Sequence, residues 1–116
     1  MTAQNRPSNT DVVQAQLEAY NAQDLDAYCA FFAEGVTVAD LNGAVTTQSL
    51  EAYRARYAGV FAQFPQNRAD ILSSYMLGET VVLHETVARA PDGDKFEVMS
   101  IYTFEGDKVS RVEFIR

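Results

Sequence analysis

Residues 12–40, VVQAQLEAYNAQDLDAYCAFFAEGVTVAD, decide the fold. They read as two short amphipathic helices followed by an apolar strand that ends on a carboxylate. Val12, Val13, Gln16, Leu17 and Tyr20 recur at helical spacing, with Ser8, Asn9, Thr10 and Asp11 offering caps ahead of them, and this helix ends near Asn21. Asp24 caps a second helix over 25–33, whose Leu25, Tyr28, Phe31 and Phe32 mark the buried side, and Gly35 fits the left-handed position beyond its end. Residues 36–40 are then a strand. An acid closing the run Val36-Thr37-Val38-Ala39 is expected where water is scarce, and desolvation lifts a carboxyl toward the range of a general base. The alternative reading of Asp40 is a strand-end aspartate in a solvated turn.

Outward from this stretch, Asn42-Gly43 lies in a loop and Ser49 caps a third helix that runs to about Phe64. Its Leu50, Tyr53, Tyr57, Val60, Phe61 and Phe64 recur at spacings of three and four, and Pro65 stops it. The remainder reads as strands over 69–76, 80–90, 95–105 and 109–116, separated by the turn signals Gly78-Glu79, Pro91-Asp92-Gly93-Asp94 and Gly106-Asp107. Three helices followed by a run of antiparallel strands predict an α+β fold, with helices on one face of a curved sheet. Such a cone encloses a pocket suited to a small ligand.

At 116 residues, with 47% hydrophobic and 22% charged side chains, the chain suits a single domain over 10–116 behind a mobile polar tail, 1–9. No apolar run approaches the roughly 18 residues that span a bilayer, and the polar start lacks a signal peptide's apolar segment. A cytoplasmic protein is expected. A net charge of −7 without a Lys/Arg cluster opposes binding to nucleic acid and to anionic membranes. One cysteine and one histidine make a zinc site improbable, so no metal or other cofactor is expected; Cys29, between Tyr28 and Phe31, reads as core packing.

Tyr20-Asn21-Ala22-Gln23-Asp24-Leu25-Asp26, followed by Phe31-Phe32-Ala33-Glu34-Gly35-Val36-Thr37-Val38, resembles the NTF2-like superfamily pattern of helix, N-x-x-D-x-D, LFA-x-D-V and strand. The resemblance extends from Val12 to Ile115 and is closest to the SnoaL-like and ketosteroid-isomerase-like branch. It implies a cone-shaped fold that hosts isomerases, cyclases, dehydratases, epoxide hydrolases and non-catalytic binding domains. Set beside ketosteroid isomerase, an enzyme whose site tunes its carboxyl groups by environment, Asp40 falls on the general base and Tyr57 on a pocket tyrosine that supports the oxyanion hole. The positions of the oxyanion donors are held by Gln16 and Ser100, far less acidic groups than a tyrosine and a protonated aspartate. The resemblance therefore implies proton transfer on a small apolar carbonyl compound, with little or no steroid isomerisation. The epoxide-hydrolase version needs an Asp-Arg-Asp set, for which Arg54 and Arg56 on the third helix are available.

His84 sits in a strand with period two: Val82, His84 and Thr86 share one face, and Val81, Leu83, Glu85 and Val87 the other. Facing inward, His84 would join Asp40 in acid/base work; facing outward, it could contact a partner subunit. Gln16 and Tyr20, one helical turn apart, would line the same side of the pocket, together with Tyr57, Ser100 and Tyr102, as substrate-binding residues. Glu85, Glu97 and Glu113 are assigned to the opposite, more polar faces. The alternative functions are a non-catalytic binder of a small apolar molecule and an interaction domain that forms a homodimer through the outer face of the sheet.

Overall fold

The computed structural model describes residues 8–115. Residues 1–7 of the expected tail and Arg116 of the expected last strand lie outside them. Helix α1 (Asn9–Ala22) begins where Ser8 accepts a hydrogen bond from the Asp11 amide, and Asp24 accepts from Ala27 to start α2 (Leu25–Cys29). Strand β1 (Phe32–Asp40) and β2 (Val45–Gln48) precede α3 (Leu50–Gln63), and β3 (Arg68–Leu77), β4 (Thr80–Ala88), β5 (Lys95–Glu105) and β6 (Lys108–Ile115) complete the chain.

The strands form one sheet in the order β2-β1-β6-β5-β4-β3. Only β1 and β6 run parallel; the other neighbours are antiparallel. Register shifts at Val38/Ala39, Ile71/Ser73 and Thr103/Phe104 bend the strands and curve the sheet around the helices. Helix α1 packs over β3 and β4, and α3 over β1 and β2, so the helices cover one face only. The fold is therefore the α+β cone, three helices on a strongly curved and mainly antiparallel sheet.

Three local expectations are corrected. The loop after Asp40 contains a short strand, β2 (Val45–Gln48), because Asn42 at φ 59° turns the chain back and Gly43 donates to the Asp40 carbonyl at 2.8 Å. Helix α2 stops at Cys29, since the segment from Phe32 is drawn into the sheet by pairing with Val109. Gly35 consequently lies inside β1 and has no left-handed φ; that conformation falls to Gly78 and Gly106, at φ 59° and 65°, in the two tight hairpins.

The core lies between the helices and the concave face. Tyr28, Tyr53, Tyr57, Phe32 and Phe61 form a connected ring cluster, with centroids 4.5–6.4 Å apart. Cys29 is buried beside it, and burial pushes its thiol up. Val81, Leu83 and Val87 from β4, with Val98, Tyr102 and Phe104 from β5, present alternate residues to this core. No helix among the described residues is long and apolar enough to cross a membrane.

Candidate functional site

The cone holds a cavity in two adjoining parts that share Tyr20, Tyr57, Val87, Val98 and Phe114 as walls. The inner chamber has a volume of about 60 Å³ and the outer part about 90 Å³. Most of the lining is aromatic or aliphatic. Its polar groups converge at the inner end, where β4 and β5 present Glu85, Ser100 and Tyr102 opposite Gln16 of α1.

Glu85 is the carboxyl of this chamber. Its residue is only 4% exposed, and Ser100 Oγ donates to Oε2 at 2.7 Å. Burial pushes the carboxyl above its ordinary value, because the charged form loses solvation; the Ser100 hydrogen bond pulls partly the other way. Gln16 Nε2 donates to the Tyr102 hydroxyl at 3.4 Å, and burial holds the Tyr102 phenol well above its usual range, with the Glu85 charge acting in the same direction. Tyr20 accepts from Asn67 Nδ2 at 2.7 Å, which leaves its own proton for an occupant of the cavity. Behind these, the Tyr28 and Tyr53 hydroxyls share a 2.6 Å hydrogen bond.

Gln16, Tyr20, Tyr57, Ser100 and Tyr102 all line the inner chamber. Asp40 and His84 do not. Asp40 is exposed, at the end of β1 opposite Phe114, where it borders an open groove of about 370 Å³ with Leu41, Phe114 and Ile115. The expectation of a desolvated Asp40 is corrected: β1 runs out into an exposed turn before the helices cover it. His84 faces the outside of the sheet, where its Nε2 lies 2.6 Å from Glu97 Oε1. The expectation that it faces the pocket is corrected by the strand's period, since the face of Val81, Leu83 and Val87 is the buried one.

That same period brings in Glu85, against the expectation that it lies on a polar face. The signal is present in the sequence: Val81, Leu83 and Val87, its companions on alternate positions, are all aliphatic, whereas His84 shares its face with one valine and one threonine. Two arginines also enter the site. Arg56 and Arg89 line the outer part, while Arg54 lies away from it and pairs with Asp26 at 2.7 Å. No carboxylate among the described residues lines the outer part, so the Asp-Arg-Asp set of an epoxide hydrolase is not assembled there. Among the described residues no group of His, Cys, Asp and Glu is placed to hold a metal ion.

The sequence profile of the SnoaL-like domain matches residues 13–112. No curated protein matches the chain. Among solved structures, an uncharacterized cystatin-fold protein from Novosphingobium aromaticivorans is 40% identical, with a TM-score of 0.88 over 95% of this chain and 99% of that one. A putative polyketide cyclase from Sinorhizobium meliloti is 21% identical, with a TM-score of 0.77 over 94% of this chain and all of that one, 100%. A hypothetical protein with a ketosteroid-isomerase-like fold from Catenulispora acidiphila, in complex with trimethylamine, is 18% identical, with a TM-score of 0.78 over 94% of this chain and 87% of that one.

Proposed function

The chain belongs to the SnoaL-like domain family, and from that premise we propose that it catalyses cofactor-independent proton transfer on a small, apolar, carbonyl-containing molecule held in the cavity. The observation that carries the reading is the buried Glu85–Ser100 pair at the end of an otherwise aromatic chamber. A carboxylate there is a stronger base than one in water, because desolvation raises its proton affinity toward the working pH. Glu85 would take a proton from the carbon next to the carbonyl and return it elsewhere on the substrate. Tyr20 and Tyr102 hydroxyls and the Gln16 amide are the donors available to the enolate oxygen. A ring closure of the aldol type begins with the same proton removal, which makes the likeness to the Sinorhizobium protein, a putative polyketide cyclase, compatible with this chemistry.

The test is α-deuterium exchange in D₂O, followed by NMR, with cyclohexanone as the probe ketone. Exchange accelerated by the chain and lost in Glu85→Gln supports the reading; exchange no faster than in buffer contradicts it. The second reading is a non-catalytic binder, compatible with the Catenulispora protein's complex with trimethylamine. In that case the ketone binds and returns without deuterium.

We infer further that a second copy covers the outer face of the sheet. Tyr75, Val82 and Ile101 lie side by side across β3, β4 and β5, and Tyr75 is 66% exposed. Light scattering should report a dimer that Tyr75→Lys converts to monomer; a monomeric unsubstituted chain would exclude it.

A further inference from the structure

Two guanidinium groups stand at the outer part of the cavity: Arg56 from α3 and Arg89, one residue beyond β4. Their partners set them apart. Arg54, Arg68 and Arg111 each pair with a carboxylate, at 2.7, 3.0 and 3.5 Å. Among the described residues, neither Arg56 nor Arg89 has a carboxylate within ion-pair distance. Arg56 reaches the Thr46 and Thr47 hydroxyls, each at 3.4 Å, and lies over the Tyr57 and Phe114 rings at 5.6 and 5.9 Å. Arg89 donates to Asn67 Oδ1 at 2.9 Å and lies over the Phe64 and Phe96 rings at 4.9 and 5.2 Å. Both are half-buried, in a chain with 16 acids and a net charge of −7.

We propose that this entrance holds an anionic oxygen of the ligand, so that the occupant is an amphiphilic acid with its apolar body in the inner chamber and a carboxylate or similar monoanion between Arg56 and Arg89. The inference rests on the proposed function and narrows its ligand from an apolar carbonyl compound to one whose apolar body also carries an acid group. Aromatic faces and neutral acceptors fix each guanidinium without neutralising it, and a partly desolvated guanidinium binds a carboxylate more strongly than one in open water. Asn67, 3% exposed, accepts from Arg89 and donates to Tyr20, which links the entrance to a hydroxyl of the inner chamber.

The strand also sets a length. Glu85 and Val87 alternate along the β4 edge of the cavity and Arg89 follows one residue past the strand's end, a span of at most about 13 Å at Cα, less the reach of the two side chains. The anion and the reacting carbon would therefore lie at opposite ends of one ring with a short chain.

The experiment is calorimetric titration at low salt with 3-phenylpropanoate and with its neutral isostere, 3-phenylpropanamide. The proposal expects the acid to bind about tenfold or more tightly than the amide, as a charge-assisted bidentate contact does. Arg56→Gln and Arg89→Gln should each erode that preference, and Arg89→Lys should keep part of it. Equal binding of acid and amide by the unsubstituted chain, or a preference that survives both glutamine substitutions, overturns the anion site while leaving the ligand cavity standing. Binding of neither compound overturns the cavity reading itself.

Discussion

His84 and Glu85 are consecutive on β4 and serve opposite faces of the sheet: Glu85 is buried against Ser100 at 2.7 Å, and His84 meets Glu97 on the outside at 2.6 Å. The first partner is a buried hydroxyl and the second a largely exposed carboxylate. The two side chains thus lie on opposite faces of the sheet. Substitution of His84 by Gln should leave ligand affinity within about twofold, as is usual for a surface site away from a ligand; a larger loss on titration with cyclohexanone would show coupling across the strand.

Glu85 also makes stability depend on pH. Its carboxyl is raised in the folded chain, so the folded state binds a proton more tightly than the unfolded one. The stability associated with that proton is fully present below the ordinary glutamate value, about 4.3, and is lost as pH rises through the higher folded value. Urea unfolding of the unsubstituted chain and of Glu85→Gln at a series of pH values should show the Gln chain gaining, relative to the parent, as pH rises across this window. A difference that is flat with pH would contradict the placement of Glu85.

The hydroxyl pair of Tyr28 and Tyr53 should behave as a unit. Tyr53→Phe leaves the buried Tyr28 hydroxyl without its 2.6 Å partner, a cost of about 1–3 kcal/mol for an unsatisfied buried group. Adding Tyr28→Phe removes the orphaned hydroxyl and should recover part of that loss. Denaturant unfolding of the two single variants and the double variant closes the cycle, and strict additivity would refute the coupling.

A β,γ-unsaturated ketosteroid should not be isomerised. The inner chamber is about 60 Å³, and Gln16 and Ser100, which line it, are weakly acidic donors. Ultraviolet absorbance of the conjugated product should stay at the buffer rate; efficient turnover would contradict both points.

The fold is legible in Val12–Asp40 because helix period, caps and an apolar strand all point the same way there. The strand β2 is not, since four residues with exposed Val45 and Thr46 carry no hydrophobic alternation. The pocket face of β5 follows from Val98, Ser100, Tyr102 and Phe104, which alternate with less buried residues. For β4 the alternation is plain in the sequence but its facing is misjudged when one histidine is given more weight than the three aliphatic companions of Glu85. Arg89 is beyond the reach of periodicity: its place depends on Asn67, Phe64 and Phe96, which are brought to it from other segments of the chain.

The most direct test of the central claim is α-deuterium exchange into cyclohexanone by three variants in parallel, Asp40→Asn, His84→Gln and Glu85→Gln. The cavity carboxyl as base predicts a loss of about 10²-fold or more in Glu85→Gln alone, with the other two near the unsubstituted rate. Full exchange by Glu85→Gln, or its loss in Asp40→Asn, would contradict the account and move the chemistry to the rim of the cone.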